Sequence, residues 1–277
     1  MTSSQNYSTL AVLGAGTMGG ILVRGLVKAG RPASTIGVTS HTAATREKIA
    51  EETGVQAFDD NATAAAWAEV LVLAVKPVKA LGVLDEISAA LRPGTVVISL
   101  CAGLSCALLE SHLPAGTPVV RVMPNTPASV GAGMAGVSPG SHAGPEQEGL
   151  AVSLMSTVGK AVVLPENLQD AVTAISGSGP AYVFYFVEAL VEAGVTQGLS
   201  RPLATELAVQ TVLGSARLLD ETGTHPALAR EAVTSPGGTT GAALRAMDEH
   251  ALRAAIQDAV EACVRRSAEL TEAAVRG

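Results

Sequence analysis

Runs of like charge, cysteine pairs and long uninterrupted apolar stretches are all missing from this 277-residue chain. Its formal charge of −7 carries no basic patch, which excludes an electrostatic grip on nucleic acid or on an anionic lipid surface and points to a small-molecule partner. Three cysteines, Cys101, Cys106 and Cys263, are too few for a disulfide scaffold, and none has the CxxC or Cys/His spacing that closes on zinc. The five histidines are scattered, so no metal site is expected. Nowhere do 18 apolar residues follow one another without a charge, and Met1 to Ser8 lacks a basic segment followed by an apolar one, so the sequence reads as a cytoplasmic protein with no membrane span. Aromatic residues (3%) and charged residues (16%) are few, but 48% of the chain is hydrophobic, which fits a folded protein of about two domains. What is plentiful is glycine (29) and proline (14), without any low-complexity segment, so each must have a local reason.

Strand and helix signals alternate through the first half. Thr9 to Leu13 is a short β-type run, followed by a glycine turn and by Ile21, Leu22, Leu26 and Val27 at helical spacing up to Gly30. Strands are expected at Thr35 to Thr39, Val55 to Ala57, Val70 to Val75, Val96 to Leu100 and Pro118 to Val122. Helices are expected at Ala43 to Glu52, Val78 to Leu91 and Leu104 to His112. That order specifies a doubly wound α/β domain of the Rossmann type, a parallel sheet with right-handed crossovers and helices on both faces. After Val162-Val163-Leu164 the period becomes helical, in Leu168 to Ile175, Ala181 to Ala193, Pro202 to Asp220 and Leu252 to Leu270. Gly194 and Gly223 are expected just past helix ends. We place the boundary near residue 165: a dinucleotide-binding domain over 1–165 and an all-helical domain over 166–277. The helix from Ala181 is apolar nearly all round, and Leu252, Ile256, Ala259, Val260 and Cys263 form one stripe, so burial against a second subunit is expected.

The first glycine cluster carries chemistry. In Gly14-Ala15-Gly16-Thr17-Met18-Gly19 the first glycine makes a tight turn, the second lets backbone approach a pyrophosphate, and the third allows close packing of helix on strand. The motif follows a strand and opens a helix, the context a dinucleotide site needs. At the end of the second strand Thr39-Ser40-His41-Thr42, with Arg46 further on, offers hydroxyls and a cation instead of an acidic residue. This favours NADP(H) and still admits NAD(H), although small polar residues also suit a solvated turn. Asn61 suits either the adenosine ribose or the cap of a following helix. Ala74-Val75-Lys76-Pro77 and Arg121-Val122-Met123-Pro124-Asn125-Thr126-Pro127 lie at strand ends, where a stiff turn suits a nicotinamide ring or is an ordinary proline turn. Far along the chain, Glu231-Ala232-Val233-Thr234-Ser235-Pro236-Gly237-Gly238-Thr239-Thr240 precedes a helix expected from about Gly241. It reads as a backbone nest for a carboxylate, with a flexible linker as the alternative. Trp67 and Cys101 read as packing residues.

These segments, with Ser176-Gly177-Ser178-Gly179-Pro180-Ala181-Tyr182, stand in the order found in pyrroline-5-carboxylate reductases, which the chain resembles from about Thr9 to Leu270. The resemblance implies reduction of the cyclic imine 1-pyrroline-5-carboxylate to L-proline by NAD(P)H. It also implies an intertwined helical homodimer, commonly five dimers forming a decamer, with each active site at a subunit interface. Carried over residue by residue, it assigns the cofactor to Leu13, Gly14, Ala15, Gly16, Thr17 and Met18 at the turn, to Ser40 and Asn61 on the adenosine side, to Ala74, Val75, Lys76 and Pro77 at the nicotinamide ribose, and to Asn125. It assigns the substrate to Ser235, Gly237, Gly238, Thr239 and Thr240, with Thr240 as the catalytic group at the ring nitrogen. Glu166 falls near cofactor or substrate in the family, but here it also suits a helix N-terminus. Ser178 and Gly179 read as a close helix contact. Two alternatives are an imine or hydroxyacid oxidoreductase of the same architecture and a catalytically silent NADP-binding regulator. The absence of any lysine after Lys160 counts against a hydroxyacid enzyme, and the intact 235–240 loop against a regulator.

Overall fold

A computed structural model describes residues 7–276. The chain divides into two compact units, Met1–Ser178 with Cys263–Gly277, and Gly179–Ala262. In the first, eight strands form one sheet: β1 (Leu10–Leu13), β2 (Ile36–Thr39), β3 (Gln56–Ala57), β4 (Val70–Leu73), β5 (Val96–Ser99), β6 (Val119–Met123), β7 (Gly133–Pro139) and β8 (Gly159–Val163). Their order is β3-β2-β1-β4-β5-β6-β7-β8. The first six run parallel, as the sequence predicts, but β7 pairs antiparallel with β6, and β8 runs parallel to β7.

Strand residues alternate between two cores. Leu10 and Val12 point to the face covered by α1 (Thr17–Lys28) and α6 (Pro145–Ser156), packing with Leu22, Val23, Leu26 and Leu154. Ala11 and Leu13 point to the face covered by α3 (Asn61–Trp67), α4 (Pro77–Ser88) and α5 (Cys106–Ser111), packing with Ala64, Leu84, Ile87 and Leu109. Burial on both faces is why Val70 to Leu73 is apolar without interruption. The element α2 (Ala43–Thr53) ends at Gly54, whose φ of +74° closes the helix in the left-handed region. Trp67 packs on Phe58 with ring centroids 5.3 Å apart, a core role.

A helical stretch follows β8: α7 (Gln169–Val172), a π-helical turn at Thr173–Gly177, and α8 (Gly179–Thr196). The second unit continues with α9 (Arg201–Thr222), α10 (Pro226–Ala232), α11 (Thr239–Glu249) and the start of α12 (Leu252–Arg276). Gly223, with φ +64°, terminates α9 as expected. Gly194 does not terminate α8 but lies inside it, because a Cβ there would stand 3.2 Å from the Cβ of Ala204; the glycine lets α8 and α9 close. Val191, Ala204 and Ala208 form a small buried cluster between these helices. Phe184 (65% exposed), Tyr185 (76%), Leu213 (58%) and Ile256 (56%) remain open in the single chain. The stretch Glu166–Thr196 is long and apolar enough by length and composition to cross a membrane, a match the sequence reading did not anticipate.

Candidate functional site

The glycine turn has the geometry of a phosphate cradle. Gly14 and Ala15 donate their N–H groups to the Thr39 carbonyl (3.2 and 2.8 Å), tying the turn to the end of β2. Gly14 has φ +99°, and a Cβ there would stand 2.8 Å from the Ala74 carbonyl oxygen. At Gly19 a Cβ would stand 2.2 Å from the Gly14 carbonyl oxygen, so only glycine lets α1 sit this close to the strand. Gly16, the N-cap of α1, has nothing within 4 Å of its Cβ position. Open space above free first-turn N–H groups is the room a pyrophosphate requires, so this turn fits a dinucleotide. Thr17 is exposed and Met18 half-buried beside it, whereas the Ala15 and Leu13 side chains are buried in the core, leaving their backbone for a ligand.

Ser40 is half-buried, and His41 and Thr42 are exposed, at the strand end next to the turn. Arg46 is not free beside these hydroxyls. Its guanidinium pairs with Asp59 (2.7 Å) and donates to the Phe58 and Asp59 carbonyls (3.2 and 3.4 Å), because the chain leaving β3 passes over α2. Asn61 is not the cap of α3. That position belongs to Asp60, which accepts from the Thr63 N–H (2.7 Å) and hydroxyl (2.8 Å), bonds that hold its carboxyl below the usual range. Asn61 instead accepts from the Thr39 hydroxyl (2.7 Å) and donates to Glu86 (3.0 Å). Thr39 belongs to the hydroxyl-bearing strand end already singled out in the sequence, whereas Glu86 carries no sequence motif and was missed.

At the end of β4, the Ala74 N–H donates to the Leu13 carbonyl (2.8 Å) and Pro77 opens α4. Ala74 and Val75 are half-buried, while Lys76 and Pro77 are exposed. Beneath them the Cys101 thiol donates to the Val75 carbonyl at 3.4 Å, and burial pushes it up to about 11, so it is neutral and packed. Asn125, at the end of β6, is 8% exposed and bonded on both sides of its amide, to the Ser176 carbonyl (3.0 Å) and from the Met134 N–H (2.8 Å). It therefore locks the loop after β6 to the π-helical turn. Gly177 lies against Met123 there, its Cβ position 2.5 Å from the methyl carbon. Of the close helix contact expected at Ser178 and Gly179, Ser178 makes one, with the Cys263 sulfur 3.3 Å from its hydroxyl, whereas nothing lies within 4 Å of a Cβ position at Gly179. Glu166 accepts from the N–H of Cys106, the first residue of α5 (2.7 Å), and pairs with the buried Arg121 (3.2 Å). Burial, reinforced by the Glu166 carboxylate, pushes the Cys106 thiol up to about 12.

In the second unit, residues 235–238 form a hydrogen-bonded turn: the Gly238 N–H donates to the Ser235 carbonyl (3.0 Å), Pro236 takes the first corner and Gly237, at φ +71°, the second. This is a type II turn, which demands glycine at that corner. It delivers the chain into α11, which starts at Thr239 rather than near Gly241, so Thr239 and Thr240 occupy the first turn, where backbone N–H groups are free. The segment is therefore an ordered turn into a helix start and not a flexible linker. Among the described residues no group of three or more His, Cys, Asp and Glu could hold a metal ion.

Two family models match. One, described as pyrroline-5-carboxylate reductase dimerisation, covers residues 166–270. The other, described as NADP oxidoreductase, coenzyme F420-dependent, covers residues 9–103. The chain is 44% identical to a pyrroline-5-carboxylate reductase of Corynebacterium melassecola, over 95% of this chain and 98% of that one. It is 42% identical to one of Pseudomonas aeruginosa, over 95% and 97%. Among solved structures it superposes on a pyrroline-5-carboxylate reductase of Coxiella burnetii with TM-score 0.92 and 38% identity, covering 96% of this chain and 99% of that one. A pyrroline carboxylate reductase of Plasmodium falciparum with NADP bound gives TM-score 0.86 at 29% identity, over 96% and 99%.

Proposed function

The chain belongs to the pyrroline-5-carboxylate reductase family, and we propose that its glycine turn holds the cofactor of that reaction while its 235–240 loop holds the substrate. It is an oxidoreductase that converts 1-pyrroline-5-carboxylate to L-proline with NAD(P)H, the last step of proline biosynthesis. The observation that carries the site assignment is the type II turn feeding Thr239 and Thr240 into the start of α11, because the glycine fingerprint alone is shared by many dehydrogenases.

When bound, the reduced nicotinamide supplies a hydride to the imine carbon. The chain's part is to orient and to hold charge. First-turn N–H groups of α11, with Ser235, Gly237, Gly238 and Thr239, take the substrate carboxylate, helped by the positive end of the helix dipole. Thr240 then hydrogen-bonds the ring nitrogen. A threonine hydroxyl is a poor acid, so its work is orientation of an imine that carries its own proton; that proton stays on nitrogen as the amine of proline. In the first unit Gly14, Ala15, Gly16, Thr17 and Met18, with the backbone of Leu13, take the pyrophosphate. Ser40 and Asn61 take the adenosine side, and Ala74, Val75, Lys76, Pro77 and Asn125 the nicotinamide side. Hydroxyls at Ser40 and Thr42 favour NADPH, and the absence of a 2′-phosphate requirement in residues 39–42 still admits NADH. We read the open apolar side chains of α8, α9 and α12 as the face of a homodimer, not of a membrane helix, with dimers assembling into a decamer in the cytoplasm.

Thr240→Ala tests the division of roles. It is expected to lower kcat/KM for the imine about 10- to 100-fold, the loss of one oriented hydrogen bond, while the Kd for NADPH stays within about twofold. Equal loss of both would assign Thr240 to structure.

A further inference from the structure

An NAD site of this architecture ordinarily sets an acidic residue at the end of the second strand, against the ribose 2′-hydroxyl. Residues 39–42 of this chain contain none. The fold brings one from another element. Glu86, on α4, accepts from Asn61 Nδ2 at 3.0 Å, and Asn61 Oδ1 accepts from the hydroxyl of Thr39, the last residue of β2, at 2.7 Å. The order of these bonds is forced. A carboxylate only accepts, so it turns the amide nitrogen of Asn61 toward itself and the amide oxygen toward Thr39. The cation that follows this strand end in sequence, Arg46, is paired with Asp59.

We propose that Glu86 is a positioning and cofactor-selecting residue: it fixes the Asn61 amide and sets a negative charge beside the end of β2, disfavouring the 2′-phosphate of NADPH relative to the 2′-hydroxyl of NADH. This rests on the assignment of Asn61 to the adenosine ribose. Ser40 and Thr42 welcome the phosphate with hydroxyls while Glu86 opposes its charge, so the chain is left able to use both cofactors. Glu86 is exposed, so the opposition is modest and screened by salt.

The test is steady-state kinetics with both cofactors on the whole protein, comparing Glu86→Gln, Glu86→Ala and Asn61→Ala at low and high salt. Glu86→Gln keeps an acceptor for Asn61 but removes the charge. It is expected to raise kcat/KM for NADPH relative to NADH about twofold to fivefold at low salt, through KM, with kcat and the imine KM unchanged and the gain shrinking at high salt. Glu86→Ala also frees the amide, so its KM for NADH rises where that of Glu86→Gln does not. Asn61→Ala is expected to raise KM for both cofactors. If Asn61→Ala raises both but Glu86→Gln leaves the cofactor ratio unchanged at low salt, the proposal falls and the ribose assignment stands. If Asn61→Ala changes neither, both fall.

Discussion

At Gly14, Gly16 and Gly19 one residue type answers three demands, a positive φ, an open approach and a 2.2 Å clash avoided. A glycine motif is legible in sequence for that reason: the fold excludes a side chain at Gly14 and Gly19, and a pyrophosphate lying close would exclude one at Gly16, so the spacing is written in the letters. Side-chain pairing is not. Arg46 reads as a cation beside Ser40, but its partner Asp59 lies 13 residues on, and no local pattern reports that pairing. Asn61 reads in sequence as either cap or ligand, and only the bond from Thr63 to Asp60 takes the cap role away from it. Cys101 and Cys106, pushed by burial up to about 11 and about 12, make a prediction at this scale. Above pH about 9 the thiols of the unfolded chain ionise while the folded ones stay protonated, so the folded state binds more protons and loses stability as pH rises toward 11 and 12. The thermal midpoint is expected to fall above pH about 9, and Cys101→Ala with Cys106→Ala to flatten that slope; an unchanged slope would contradict the burial account.

Among elements, the stretch over 166–178 belongs by its contacts to the sheet unit although its period is helical. Three side chains hold it there. Glu166 reaches Arg121 and the start of α5, Gln169 donates to the Gly136 carbonyl (3.2 Å) and the Ser138 hydroxyl (2.8 Å), and Asp170 accepts from Ser267 on α12 (2.7 Å). Removing Glu166 would leave Arg121, 5% exposed, uncompensated. Glu166→Ala is expected to cost about 1–3 kcal/mol, less than for a fully enclosed pair because Glu166 keeps some solvent. Denaturant unfolding at fixed protein concentration checks this, and a change below about 0.5 kcal/mol would show the pair to be incidental. The parallel strands β1, β2, β4, β5 and β6 were legible because burial on both faces makes them rich in Val, Ile and Leu, whereas β3, Gln56–Ala57, is an exposed two-residue strand. The reversed strand β7 was not. It reads Gly-Met-Ala-Gly-Val-Ser-Pro, and at Gly136 a Cβ would stand 2.8 Å from Val172 of α7. Packing of a helix on that strand selects against the β-branched residues that would have announced it.

Over the whole molecule, one chain leaves its helical unit half-covered. Val191, Ala204 and Ala208 are a small core for 84 residues, and the aromatic and leucine side chains around them face outward. A surface of that kind is stable in water only against another apolar surface. Light scattering at micromolar concentration is expected to give a dimer or a multiple of it, and Phe184→Asp, at a position 65% exposed in the single chain, to yield smaller species. A wild-type monomer would contradict the interface account. The scarcity of aromatic and charged side chains then has its explanation. Glycine turns and helix starts leave N–H groups free, and in the proposed site these, not a cluster of charged side chains, are what would hold a dinucleotide and a small carboxylate. The direct measurement is oxidation of NADPH and of NADH by the purified protein in the presence of 1-pyrroline-5-carboxylate, with the product identified. Turnover yielding L-proline is the predicted result, and absence of turnover with both cofactors would contradict the account.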